Sequence, residues 1–475
     1  MKIERKRIQD AEPQRNNEAD LFIAKEDEIL YYKSFNNKLI KCSGESEPIT
    51  YGNVSFVDST NGSDATGGSN IFNKPYSTVA AAQANLTGTV TAPALVILRK
   101  GVYTENILLK PYIYIYCEPG VVFTAGGFYD DINSVDTKVF GNASFYFNTN
   151  ISVVTLLYST KLYFEADTIN ITGISFAPFR LHPVVTHTPV MTAKIKTFYH
   201  ACDNTSAINV RGKASFYGTF ENEVKHSYQF LNTTVSNGDL FSGKIVINAP
   251  KITMMDGGVL GNVSTRKTMF MIQNASSAGE VTINADVVED QTVSYLGGYH
   301  SIVATHSNST CKVLINARVV ANYAVGYLGG LVLSDSGIVK FTNNVSSKVR
   351  VCYVGFTSTG IFKEGILTKL VEATTTAFIP VYVYASGTVF LKESDIENLE
   401  TNSSLIYADL ATSKVYVDKV TGKQTGTSGF FITSPNIPVT AISSTISNVA
   451  LDSTIVNLVT PNSFTVVAGL VLPTF

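Results

Sequence analysis

The chain contains no tryptophan, and charge is scarce. Asp, Glu, Lys and Arg make up 16% of its 475 residues, against roughly 25% in average soluble proteins. The net charge of −2 argues against nucleic-acid binding through bulk electrostatics, which needs a clustered basic face. Without Trp, any aromatic platform has to come from Tyr or Phe. Cysteine is sparse and scattered, at Cys42, Cys117, Cys202, Cys311 and Cys352. No two stand at metal-ligand spacing, so they read as small buried hydrophobes of a reducing compartment. His182, His187, His200, His226, His300 and His306 form no zinc motif, so neither a metal nor a cofactor is expected. No uncharged apolar run reaches the roughly 18 residues of a membrane helix. Met1 opens a charged stretch, not the apolar core of a secretory signal. These features predict folding in a cytoplasm, with no membrane insertion.

Ser, Thr, Asn and Gly fill the polar positions, alongside abundant Val, Ile, Tyr and Phe, which is strand composition. One phrase recurs. Ile245-Val-Ile247-Asn248-Ala249 is followed after nine residues by Val259-Leu260-Gly261-Asn262. Val281-Thr-Ile283-Asn284-Ala285 and Val313-Leu-Ile315-Asn316-Ala317 repeat it, each followed after nine residues by Tyr-Leu-Gly-Gly. Val339-Lys-Phe341-Thr342-Asn343 is a looser copy. The Asn positions lie 36 and 32 residues apart, and the fourth copy starts 26 after the third. A strand phrase at such a period buries its apolar face against the next copy, which makes a stacked array. Stacked copies place Asn248, Asn284 and Asn316 one above another at about 4.8 Å. Each side-chain amide can then donate to the carbonyl of the next. The ladder is expected at an inward turn, pinning the register. Coils of about 30 residues would give about a dozen coils, or roughly 60 Å of rod.

Charge divides the chain further. The first 50 residues carry 19 of its 74 charged side chains. Met1 to Asp20 reads as a polar arm, helical or unfolded. Leu21-Phe-Ile, then Glu28-Ile-Leu-Tyr-Tyr-Lys33 and Lys38-Leu-Ile-Lys41 about Asn36-Asn37, read as a small hairpin sheet. Residues 1–47 therefore form one predicted region. Residues 51–123 form the entry to the array, with a helix over Thr78–Ala84 capped by Ser77 and placed to cover the first open end. Residues 124–423 form its body. Residues 424–475 contain one charged side chain, Asp452. So apolar a region predicts a subunit or partner contact, or a cap on the same chain.

Phe56-Val-Asp58, Gly62-Ser-Asp64, Lys74-Pro-Tyr-Ser-Thr78, the Ala-rich helix, Val96-Ile-Leu98, Gly101-Val-Tyr-Thr-Glu105, Ile107 and Pro119-Gly120 together resemble the entry segment of pectate-lyase-like β-helix proteins. Residues 20–42 are similar to the short hairpin at the base of phage tail-fibre and tailspike proteins. The resemblance implies an all-β, right-handed parallel β-helix. Fold does not settle function. Polysaccharide-cleaving β-helix enzymes need clustered carboxylates, or Ca²⁺ with a basic residue. Asp130-Asp131 and Arg211-Gly-Lys213 are present, but the accompanying Asn-Thr-Asp and His-Gly motifs are not, so no catalytic residue carries over. The densest acidic turn, Asp286, Glu289 and Asp290, is the candidate catalytic group if the chain is an enzyme. The favoured readings of this turn are a salt bridge to Arg318 or a solvated loop. Asp58 to Asp64 reads as an Asx-turn loop rather than a Ca²⁺ site. In Tyr112-Ile113-Tyr114-Ile115-Tyr116, alternation places three tyrosines on one face, either as a ligand or interface surface or as a tyrosine ladder packed under a loop.

The expected function is a structural virion appendage for host attachment. Residues 1–47 would dock to other virion proteins, the chain would assemble as a homotrimer, and its surface would meet a host glycan or protein. The alternative is a polysaccharide depolymerase on the same fold.

Overall fold

The structure is a computed structural model. It describes residues 53–342 apart from position 185 and the segments 132–135, 149–150, 173–176, 203–204, 234–240, 256–265, 273–278, 292–298, 306–311, 322–329 and 334–335. In residues 1–52 and 343–475 it describes the strand segments and a few residues beside them. The chain divides into two units, Met1–Phe198 and Tyr199–Phe475. The division falls within the strand Val190–Ala201.

The fold is an all-β parallel β-helix. In the first unit the strands Ala94–Leu98, Gly101–Tyr103 and Ile107–Leu109 make one coil. Ile113–Cys117, Val121–Phe123 and Phe128–Asp130 make the next, each parallel to its counterpart below. In the second unit the same plan continues through Lys244–Met254, Glu280–Asp290 and Lys312–Ala321. It extends to Val439–Ile442 and Phe464–Val467, which pair in parallel. Strands of residues 424–475 thus belong to the coils. The final residues, 468–475, lie outside the described residues, as do the repeated Val259–Asn262, Tyr295–Gly298 and Tyr327–Gly329 phrases.

Burial shows why one long strand can form two walls of a coil. In Lys244–Met254, Ile245, Ile247 and Ala249 are buried on period two, and then Ile252 and Met254 are. The step from Ala249 to Ile252 is three residues, so the pleat changes phase there. Lys161–Thr172 does the same between Ala166 and Ile169. A one-residue slip exchanges faces in a straight strand. Here it marks a corner, and apolar residues point inward on both sides of it. In the third repeat the buried positions run Ile315, Ala317, Val319 without the extra step. The pairing of Glu280–Asp290 with Lys312–Ala321 accordingly shifts register between Asn284 and Val287.

The interior of the first unit is aromatic. Tyr103, Phe123 and Phe145 occupy one inward column, and Phe123 stacks on Phe145 with centroids 4.8 Å apart and planes 7° from parallel. Phe128 and Phe164 meet Phe145 from other directions.

The helix is Val79–Ala84, and its N-cap is Thr78, not Ser77. Asp64 accepts the backbone N–H groups of both Ser77 and Thr78, and this sets where the helix begins. Glu105 reaches from the next coil to accept from Val79 N at 2.8 Å. The helix buries Val79 and Ala82.

The N-terminal strands form a separate four-stranded sheet. Leu30–Lys33 and Leu39–Lys41 pair antiparallel about residues 34–38. Glu4–Lys6, within the expected polar arm, is a strand parallel to Asp20–Ala24. Pairing with an existing strand supplies the backbone hydrogen bonds that the arm's polar sequence does not predict.

Candidate functional site

The outward face of the repeats in the second unit carries three rows of side chains, set by strand register. One row is Lys244, Glu280 and Lys312. The next is Tyr217, Val246, Thr282, Leu314 and Lys340. The third is Thr219, Asn248, Asn284 and Asn316, followed by Thr342. Every second residue of a strand faces outward, so a repeat in sequence becomes a row in space once coils stack in register. Asn284 Nδ2 donates to Asn248 Oδ1 at 2.8 Å, and Asn316 Nδ2 donates to Asn284 Oδ1 at 2.8 Å. Thr342 Oγ1 donates to Asn316 Oδ1 at 2.9 Å. The looser fourth copy therefore ends the ladder with a hydroxyl.

The ladder lies on the outer face, not at an inward turn. Asn248 is exposed and Asn284 and Asn316 are half-buried, while Ile247, Ile283 and Ile315 beside them are buried. Alternation decides this. The inward positions are already taken by the isoleucines, and an Asn one residue on must point the other way.

The structure separates the three acidic candidates. Asp286 is exposed. Glu289 and Asp290 are neighbours in one strand and face opposite sides, with Asp290 only 2% exposed. Glu289 is one end of an ion network crossing coils. Lys251 Nζ lies 2.7 Å from Glu289 and 3.4 Å from Glu223, and Lys225 lies 3.5 Å from Glu223. Gln291 Nε2 donates to Glu289 at 2.9 Å. Burial alone would raise the Glu289 carboxyl. Hydrogen bonds from Lys251 and Gln291 and the charges of Lys251 and Arg318 outweigh it and hold the pKa below the usual range. A carboxylate held ionised among cations is a poor general acid. We expect Lys251→Met to cost less than about 1 kcal/mol, because the pairs are partly solvated. Urea titrations at low and high salt check this: the gap between wild type and variant should narrow as salt screens the network.

The tyrosine stripe is covered in the structure. Tyr116 is fully buried and Tyr114 is 7% exposed. Tyr112 occupies a left-handed turn with φ of 57°. Phe56, Ile97, Tyr116 and Phe140 form a continuous row through strand register, and all four are buried. The Gly- and Asn-rich loop after Asp58 returns over the start of this row. Phe72 packs edge-on against Phe56 at 5.0 Å, and the Arg99 guanidinium lies 4.0 Å from the Phe72 centroid. Alternation gave the correct side for the tyrosines, but it could not reveal that the side is covered. Burial, with smaller contributions from Asp136 and Tyr112, pushes the Tyr114 phenol up to about 12.

Asp58 makes an Asx turn, accepting from Thr60 N at 3.0 Å and Asn61 N at 2.9 Å. Asp130, half of the Asp-Asp pair, braces the loop of the next coil. It accepts from Leu157 N at 2.7 Å, Tyr158 N at 2.9 Å and Thr160 Oγ1 at 2.9 Å. Burial nevertheless raises its pKa. Nothing in the local sequence signals this role, because its partners lie 27 to 30 residues away. Asp130→Ala would leave two backbone donors without their acceptor. We expect a loss of about 2–3 kcal/mol and earliest hydrogen exchange at Leu157 and Tyr158. Unchanged exchange at those two amides would refute the bracing role.

Among the described residues no group of three or more His, Cys, Asp or Glu is placed to hold a metal ion. Among them, too, no helix is long and apolar enough to cross a membrane. No protein-family model, curated protein or solved structure matches the sequence.

Proposed function

We propose that the chain is a structural appendage of a virus particle that serves attachment to a host. The observation that carries this reading is the stacking of parallel coils in register, cross-linked on the outside by the Asn248–Asn284–Asn316 ladder. Such stacking resists bending because each coil is bonded to the next along its full strands. The separate N-terminal sheet supports the second part of the reading, in which residues 1–47 dock to other virion proteins. Three copies would associate, and the outward side chains of the coils would meet the host surface. A depolymerase reading draws no support from Asp286, Glu289 and Asp290, whose side chains diverge.

Deleting residues 1–47 is expected to abolish incorporation into particles while leaving the melting temperature of the coils unchanged. A truncated chain still found on purified particles would overturn the docking role. The mass of the full chain in solution is expected to be three times that of the monomer. A monomer would overturn the trimer.

A further inference from the structure

We propose that Ser159 and His187, both in the first unit, form a nucleophile–base pair that hydrolyses esters of short acyl groups. This activity stands apart from host attachment and does not rest on it.

Three successive coils build the pair. Ser159 is the exposed apex of a tight turn, closed by Thr160 N donating to Tyr158 O at 2.7 Å. Asp130, one coil back, holds both flanks of that turn through Leu157 N, Tyr158 N and Thr160 Oγ1. Two backbone bonds tie the following coil to it: Val184 N donates to Leu157 O, and Val190 N to Thr160 O, both at 2.8 Å. A turn in that coil, with His187 N donating to Val184 O at 2.8 Å, carries the imidazole to the serine. Ser159 Oγ lies 3.1 Å from His187 Nδ1. The Tyr158 ring meets the imidazole edge-on, with centroids 5.1 Å apart, and limits its rotation.

Hydrogen-bond direction gives the pair its chemistry. Thr188 N donates to Ser159 Oγ at 3.2 Å. With one acceptor position of that oxygen taken, the hydroxyl donates to Nδ1, and the neutral imidazole carries its proton on Nε2. A hydroxyl donating to an imidazole nitrogen is a nucleophile beside its general base. The Thr188 N–H stabilises negative charge as it grows on Oγ. The Ser159 N–H has no acceptor among the described residues. It is placed to donate to the oxyanion, as a nucleophile's own amide does. In the first step Oγ bonds to the acyl carbon while its proton passes to Nδ1. The bond from that carbon to the alcohol oxygen then breaks, and the alcohol leaves with the proton. Water attacks the acyl-serine in the same way, gives a proton to Nδ1, and releases the acid as Oγ takes the proton back. The sum is ester plus water to acid plus alcohol. Exposure selects the substrate. Ser159 and Thr188 are exposed and His187 is half-buried. So open a pair offers little apolar surface to a long acyl chain and little enclosure for expelling an amine. Short-chain esters, whose alcohol leaves more easily, are the matching class.

The test uses the full chain, with 4-nitrophenyl acetate and a fluorophosphonate as probes. The unaltered protein is expected to hydrolyse the acetate with repeated turnover. The fluorophosphonate is expected to modify Ser159, with fluoride displaced, and peptide mass spectrometry locates the adduct without any variant. Ser159→Ala and His187→Gln should each lower the hydrolysis rate by about a hundredfold or more, at unchanged melting temperature because both changes lie near the surface. Hydrolysis that survives in Ser159→Ala is the chemistry of a bare imidazole and overturns the inference. So does fluorophosphonate modification that bypasses Ser159, or that proceeds at Ser159 undiminished in His187→Gln.

Discussion

Phe145→Ala is expected to lower the stability of the first unit by about 3–5 kcal/mol, the usual cost of truncating a buried phenylalanine to alanine. Phe145 stacks on Phe123 and also meets Phe128, Phe147 and Phe164. Those rings belong to strands tied into the hydrogen-bonded stack, so they cannot close the void without breaking register. The second half of the prediction concerns where the damage appears. A stacked array is held by contacts between nearest-neighbour coils. Hydrogen exchange should therefore accelerate first in Val121–Phe123 and Ser144–Phe147, before the repeats of the second unit. Chemical denaturation with exchange read by mass spectrometry measures both. A cost below about 1 kcal/mol, or exchange spread evenly along the chain, would show that the aromatic column is not the centre of the unit.

Acidification should destabilise the second unit before its carboxylates titrate. His200 is fully buried, and burial lowers its pKa from 6.5 to about 3. The folded protein therefore keeps this imidazole neutral while the unfolded chain protonates it below pH 6.5. Stability is intact above pH 6.5 and falls by about 1.4 kcal/mol for each pH unit below it, until the folded state also titrates. At pH 4.5 the loss is about 3 kcal/mol. Glu223 and Glu289 are held below their usual value of 4.5, so their contribution disappears only at lower pH. Between pH 6.5 and 5 the slope belongs largely to buried histidine. His200→Leu keeps the interior apolar and should flatten the slope in this window. A slope unchanged in that variant would sink the assignment.

Much of the coil plan was legible in the sequence. The recurring Ile-x-Ile-Asn phrase carries its own register, because identical residues 36 and 32 positions apart stack only if the coils superpose. The same reasoning put an amide ladder at Asn248, Asn284 and Asn316, but on the wrong side of the wall. Position in a repeat says which residues stack, whereas inward or outward depends on which neighbours claim the interior. For the tyrosines the sequence left an open surface and a covered ladder side by side, and the structure has the covered one. Tyr114 and Tyr116 share one face as alternation requires, yet a loop carrying Phe72 and the side chain of Arg99 returns to cover the start of the same row. That contact joins residues 16 to 43 positions apart with no periodic signal between them. Ser77 was a sound capping candidate by residue type, but it is the Thr78 hydroxyl that accepts from Ala81 N, while Asp64 accepts from the backbone N–H groups of both residues.

The sequence by itself determined that the chain is built of strands and that the strands repeat. It determined too that the repeats stack in parallel, because composition and period are properties of the chain read in order. The tertiary structure alone decided which polar residues face water, and that Glu289 pairs with Lys251 while Asp290 turns inward. It also decided that Asp130 braces a loop 27 residues on. The physical reason is that burial and pairing are settled between coils. A side chain's neighbours there lie one full turn away, and the length of that turn changes from coil to coil.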